Sequence, residues 1–352
     1  MKGNKLVLLA VILVVSVGVI ILNENLSNKK PSRKEMEFFP ELSEQAIGAV
    51  TISEGKATVR LKRKGDVWVV TKPSGEATDQ PAAATPLAAA EKAPAPAGEV
   101  EYPVDSASIT AAIEKVTSLK KDALISENPE KQSIFEVDSV KGINVTLADN
   151  SGKKIGSFII GKNGADYNSN YVRMKGSNEV YMASGGIRYS FFTDLKRWRD
   201  KTILRFDKAT AKGITLNKKG GEMITLAHAD SGDTWQILEP IQNPAKTATV
   251  NGILEKLAAL TATDFQDEPL ADTATGFDKP ELGVTISFTN GSSRNVLFGK
   301  KNSDNKYWVK TDGKKQVFLI GEYTVNEINK TLDDLKAEPP AAPKAATTPP
   351  AK

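Results

Sequence analysis

Ala57 to Val70 reads ATVRLKRKGDVWVV, and Glu222 to Leu238 reads EMITLAHADSGDTWQIL. In the first, Val59 and Leu61 alternate with polar residues, Gly65-Asp66 interrupts, and Val67-Trp68-Val69-Val70 follows. In the second, Ile224 and Leu226 alternate likewise, Gly232-Asp233 interrupts, and Trp235-Gln236-Ile237 follows. A two-residue period marks a half-buried strand, and Gly-Asp between two such runs marks a tight reversal, so both stretches read as β-hairpins. One Gly-Asp-x-Trp design used twice points to an internal repeat.

Working outward, the correspondence continues in order. YPVDSASITAAIEKVTSL (Tyr102 to Leu119) matches NPAKTATVNGILEKLAAL (Asn243 to Leu260). Each places apolar residues at helical spacing: Ile109, Ile113 and Val116 in one, Val250, Ile253, Leu254 and Leu257 in the other. Paired strands with Asn/Gly turns follow, Phe135 to Lys162 against Phe277 to Lys300. A further hairpin, Asn170 to Ser184, matches Lys306 to Gly321, and each copy is expected to close with a helix, Ile187 to Lys201 and Val325 to Leu335. The offset from Gly65 to Gly232 is 167 and that from Gly142 to Gly283 is 141, a difference of 26. That equals the length of the Ala/Pro-rich stretch Ser74 to Glu99, which reads as a solvated loop inserted in the first copy. The expected fold class is therefore α+β: two tandem, mainly antiparallel strand-rich repeats at 45–204 and 205–336, with two helices each, behind one transmembrane helix. Residues 337–352 form a Pro/Ala tail expected to be disordered.

The N-terminal part, residues 1–34, carries that helix. Leu6 to Leu22, LVLLAVILVVSVGVIIL, is uncharged over 17 residues, roughly 25 Å as a helix against a hydrocarbon core of ~30 Å. A cleaved signal peptide is the rival, but the run exceeds the usual apolar length and NENLSNKK offers no small-x-small cleavage site. Lys2 and Lys5 favour a cytoplasmic N-terminus, while Lys29, Lys30, Arg33 and Lys34 oppose it. A short tail before a large body is the layout of a signal anchor that exports its C-terminal part. The expectation is a single pass through the inner (cytoplasmic) membrane with the body outside the cytoplasm.

Composition narrows the chemistry. With 47 basic and 43 acidic residues and a net charge of +4 over 352 residues, no concentrated basic field supports nucleic-acid binding. Without cysteine there is no thiolate chemistry, disulfide, iron–sulfur cluster or lipoprotein anchor, and a lone histidine, His228, leaves little for a triad. No Walker loop, Rossmann fingerprint, GxSxG elbow or HExxH occurs.

With these residues in hand, the chain resembles the bacterial family catalogued as domain of unknown function 4340. The resemblance rests on Gly65-Asp66-x-Trp68, Tyr102-Pro103-x-Asp105, Ile160-Gly161, Tyr171-Val172-Arg173 and Trp198-Arg199-Asp200-Lys201, and covers most of Ile52 to Leu335. Copy two departs from it, with Asn243-Pro244 and Tyr307-Trp308-Val309-Lys310 at the matching places. The resemblance implies a membrane-anchored protein, in some cases a partner of gliding-motility-type ABC transport systems, and supplies no catalytic residue.

The candidate residues divide by role. Gly65, Asp66, Trp68, Gly232, Asp233 and Trp235 form the repeat signature. Gly-Asp reads as a hairpin turn and the tryptophans as core, against the alternatives of a binding carboxylate and a sugar-stacking platform. Arg188, Lys196, Arg197, Trp198 and Arg199 mix basic and aromatic character and could dock a membrane surface or a partner. The bland reading is a core stripe of Ile187, Phe191, Leu195 and Trp198 with solvated charges. Asp166-x-Asn168-x-Asn170 opens like a calcium loop, but Tyr171 and Ser177 stand where glycine and glutamate are required. No cofactor, metal or catalytic residue is expected. The leading expectation is a non-enzymatic, extracytoplasmic interaction or scaffold protein, with a protein partner in the membrane or envelope, serving as an accessory of an ABC-type transport or envelope complex. The alternatives are an envelope-polymer hydrolase using paired carboxylates and a solute or glycan receptor.

Overall fold

Val50 and Ile52, Val59 and Leu61, and Val145 and Leu147 are buried, whereas the residues between them are more exposed. This period of two builds a sheet with one face on a core. The computed structural model describes residues 37–71, 100–229 and 234–337, and the chain divides into two units, Met1–Asp200 and Lys201–Lys352.

The first unit contains β1 (Ala49–Glu54), β2 (Ala57–Lys64), β3 (Val67–Thr71), β4 (Tyr102–Pro103), β5 (Ala123–Ser126), β6 (Ile143–Ala148), β7 (Lys154–Asn163), β8 (Ser169–Met174) and β9 (Val180–Ser184). They form one antiparallel sheet in the order β4-β3-β2-β1-β6-β7-β8-β9-β5. Helix α1 (Ser106–Thr117) lies on one face through Ile109, Ala112, Ile113 and Val116. Asp105 starts it by accepting from the Ser108 N–H at 2.8 Å. Each large apolar side chain buried this way is worth roughly 1.5–3 kcal/mol.

The second unit contains β10 (Thr202–Arg205), β11 (Ala211–Lys218), β12 (Met223–His228), β13 (Trp235–Glu239), β14 (Asn243–Pro244), β15 (Ala259–Thr261), β16 (Asp264–Gln266), β17 (Leu282–Phe288), β18 (Ser293–Lys301), β19 (Lys306–Thr311) and β20 (Val317–Gly321). The large sheet runs β14-β13-β12-β11-β17-β18-β19-β20-β16, the same path as in the first unit, while β10 and β15 form a separate pair. Pairing also fixes residue equivalence. Asn144 and Arg173 flank Ile159 as Gly283 and Lys310 flank Leu297. Gly283 thus corresponds to Asn144 and not to Gly142.

The expectation of an α+β class with two helices per copy is corrected, whereas the transmembrane helix expected ahead of the copies falls on residues that are not described. Both units are dominated by nine-stranded antiparallel sheets, and among the described residues each carries one helix of 12 residues, the second at Thr247–Ala258. Ile187 to Lys201 is not a helix. It is a 3₁₀ turn at Ile187–Ser190, an extended stretch, a single turn α2 (Leu195–Trp198) and then Arg199, which pairs with Val104. Asp194 accepts from the Lys196 N–H at 3.0 Å and so begins a new turn instead of continuing an old one. Numbering the Thr247–Ala258 helix α3, its unit adds α4 (Asp272–Thr275), α5 (Glu322–Ile328) and α6 (Leu332–Leu335), so Val325 to Leu335 is also broken. The apolar run Leu6 to Leu22, the inserted loop 74–99 and the tail from 338 onward lie outside the described residues. Among the described residues no helix is long and apolar enough to cross a membrane.

Candidate functional site

Leu216, Val284, Val296 and Val309 of the second sheet pack into one core with Val250, Ile253 and Leu257 of α3. Their strand neighbours Asn217, Thr285, Asn295 and Lys310 therefore point to the opposite, outer face. The same face exists in the first sheet, and there it is closed. Val137, Ile159 and Val180 form a small buried cluster flanked by Phe135 and Tyr171, whose rings lie 4.7 Å apart. Arg173 is only 8% exposed. Its Nε donates to the Val137 carbonyl at 2.9 Å and its Nη1 to that of Ser177 at 2.8 Å. Burial lowers the Arg173 pKa from its ordinary value, and the Asp138 charge works against that shift. Asn144 Nδ2 ties the covering segment down by donating to the Ser139 and Gly142 carbonyls at 3.0 and 3.1 Å.

In the second sheet the corresponding positions leave an open concavity of about 340 Å³. Gly283 and Leu297 contribute to its floor, and Asn217, Thr285, Asn295, Lys310 and Asp312 surround them. Thr285 Oγ1 donates to Asn295 Oδ1 at 2.8 Å. Asn295 in turn donates to Asp312 Oδ2 through its backbone N at 3.0 Å and its Nδ2 at 2.7 Å. Lys310 Nζ reaches both Asp272 carboxylate oxygens at 3.1 Å and lies 4.5 Å from the centre of the Phe277 ring. A Cβ on Gly283 would meet Leu297 Cδ2 at 3.3 Å and Asn217 Cβ at 3.7 Å. Backbone crowding does not demand glycine there; its effect is to keep the floor low.

Gly161 and Gly299 behave differently. A Cβ on Gly161 would sit 2.2 Å from the Phe135 carbonyl oxygen, and one on Gly299 would sit 2.1 Å from that of Thr275. Each is the point where a covering segment presses its backbone on the sheet, which gives the Ile160-Gly161 and Phe298-Gly299 pairs a packing reason.

The residues singled out by sequence are dispersed. Gly65 has φ +61 in the turn between β2 and β3, and Asp66 beside it is exposed. Trp68 is half-buried with the Arg63 guanidinium 5.3 Å from its ring centre. Trp235 is in the core, with the His228 ring edge-on at 5.2 Å. Gly232 and Asp233 lie outside the described residues. Arg188 Nη2 pairs with Glu54 Oε1 at 2.7 Å, and its Nη1 reaches the Ile160 and Gly161 carbonyls. Trp198 is fully buried, and its Nε1 donates to the Phe192 carbonyl at 2.9 Å. Arg199 is 2% exposed and lies 3.6 Å from the centre of the Tyr102 ring. Only Lys196 and Arg197 of this group are exposed, so the five do not share a face. Asp166 closes its own loop, accepting from the Ser169 N–H at 2.9 Å and Oγ at 2.6 Å. The outer-face residues of the second sheet carried no motif. The available signal was polar Thr285 and Asn295 within strands whose other face is core.

Comparison with known proteins finds one family, described as Domain of unknown function (DUF4340), matching residues 97–280 and again 235–347. No curated protein and no solved structure matches the chain.

Proposed function

The chain belongs to the DUF4340 family, and on that premise we propose that it is a non-catalytic interaction protein, tethered to the inner membrane and working outside the cytoplasm as an accessory of a transport or envelope complex. The concavity on the second sheet carries the interaction part of this reading, because the same position in the first sheet is filled by the protein's own side chains. Keeping that face open spends a sheet surface on a partner instead of on the core. The tether is the 17-residue apolar run Leu6 to Leu22.

The lack of cysteine makes the topology testable. Ser303→Cys, in an exposed loop, should react with a membrane-impermeant maleimide in cells whose inner membrane is intact. Deletion of residues 1–34 should release the body from the membrane pellet. Labelling only after lysis would overturn the orientation. Purification of the full chain in mild detergent should retain membrane-transport or envelope subunits, whereas a lone monomer that cleaves glycans would overturn the interaction reading.

A further inference from the structure

We propose that the concavity on the outer face of the second sheet binds a neutral saccharide, with one sugar ring seated over Gly283 and Leu297. The inference rests on reading that face as a recognition surface and adds the chemistry of what is recognised.

Charge excludes the simplest ionic ligands. The cavity has one cation, Lys310, and one anion, Asp312. Lys310 already holds both oxygens of Asp272 at 3.1 Å, and Asp312 Oδ2 already accepts two hydrogen bonds from Asn295. An anionic ligand meets the Asp312 carboxylate and a Lys310 already neutralised by Asp272, and a cationic one finds a single solvent-exposed carboxylate already held by Asn295, so neither gains a strong field. A zwitterion such as a free amino acid has to compete with Asp272 for Lys310. A neutral ligand competes with neither pair.

Hydrogen-bond type then selects among neutral ligands. Within one small concavity the lining offers the Asn217 amide, the Thr285 hydroxyl, the Asp312 carboxylate and the Lys310 ammonium. These are donors and acceptors side by side, and a hydroxyl group can answer either. Several hydroxyls on one ring match such a mixed rim, while the ring's C–H face suits the apolar floor of Gly283 and Leu297. At about 340 Å³ the space lies at the lower end for small-molecule sites. Its openness to solvent fits binding with Kd on the order of 1 mM.

The test is saturation-transfer NMR on the full chain in detergent, with maltose and chitobiose as neutral probes and glycine and a Gly-Gly-Gly peptide as comparison probes. At least one saccharide should show transfer to its ring protons that falls at least fivefold in Gly283→Leu and persists in Lys212→Leu, an exposed control on β11. Thermal unfolding of Gly283→Leu checks that the variant remains folded. If neither saccharide shows transfer but a comparison probe does, and Gly283→Leu abolishes it, the ligand class is wrong and the recognition surface stands. If saccharides transfer equally in wild type and Gly283→Leu, the assigned position is wrong. If no probe shows transfer to the wild-type protein, both this inference and the site reading fall.

Discussion

The two large sheets follow the same nine-strand path, yet they treat their outer faces differently. In the first, Val137, Ile159 and Val180 cluster under Phe135 and Tyr171, and the Arg173 guanidinium is drawn in to hold two carbonyls. In the second, Leu297 is only half-buried, Lys310 reaches outward to Asp272, and Gly283 stands where Asn144 anchors the covering segment. Arginine with its fork of donors can be satisfied under a lid of backbone, whereas lysine offers a single charged tip. The same scaffold therefore supports a closed face or an open one through a few side chains, with no change of strand order.

The largest effects are expected where each unit is pinned shut. The Asp105 N–H donates to the Trp198 carbonyl at 2.8 Å, and the Lys246 N–H to that of Leu335 at 2.7 Å, so Trp198 and Leu335 are counterparts. Trp198→Ala should destabilise the first unit by about 4 kcal/mol, and Leu335→Ala the second by about 3 kcal/mol. Hydrogen exchange on the full chain under mild urea reads each unit separately. Equal small losses would break the comparison, because both side chains would then be peripheral.

Next come the glycines under the covering segments. Gly161→Ala and Gly299→Ala place a Cβ against a carbonyl oxygen at 2.2 and 2.1 Å, and each should cost about 2–3 kcal/mol. Gly283→Ala meets its nearest atom at 3.3 Å and should shift stability by less than about 1 kcal/mol. A neutral Gly299→Ala would mean that the segment does not press on β18. Smaller again is Arg199→Lys, expected to lose about 1 kcal/mol as the planar stack on Tyr102 at 3.6 Å is given up. The second unit, with Lys336 facing Asn243-Pro244 at the same bridge, lacks that ring.

These contrasts show which features the residue order makes legible. Val59 to Leu61 and Ile224 to Leu226 alternate because one sheet face is buried and the other is not, and strands occupy Ala57–Lys64, Val67–Thr71, Met223–His228 and Trp235–Glu239. Ile187, Phe191, Leu195 and Trp198 also recur at helical spacing, but a segment that crosses the core face of the sheet from β7 and β8 toward β3 can turn the same residues inward without being a helix. Gly185 and Gly186, with φ +100 and +58, begin that winding path. The concavity was invisible for another reason. Asn217, Gly283, Asn295 and Lys310 come from four strands, and they meet only once pairing sets the register. Matching Gly283 to Gly142 by identity of residue type hid the substitution that opens the face.

Acid should separate the units by the residues that close their loops. After β6, Asp149 Oδ1 accepts from the Ser151 N–H at 2.9 Å and Oγ at 2.7 Å, and after β7 Asp166 does the same for Ser169. The second unit uses Asn290 after β17, accepting from Ser292 N at 3.0 Å and Oγ at 2.7 Å. After β18, Asn302 accepts from Lys306 N at 2.9 Å. Side-chain hydrogen bonds from Ser151 and Ser169 lower the Asp149 and Asp166 pKa values below the usual 3.8. A depressed folded-state value contributes stability that is present above about 3.8 and is lost as pH falls through the lower folded value. Asparagine does not titrate, so the Asn290 and Asn302 turns of the second unit keep their contacts over the same range. Amide protection at 151–153 and 168–169 should therefore hold down to about pH 3.8 and drop as the pH is taken lower, corrected for intrinsic exchange, while that at 292 and 304–306 holds throughout. Asp149→Asn should remove the drop at 151–153 alone. Parallel loss at Ser292 would show that the acid response comes from elsewhere than these turns.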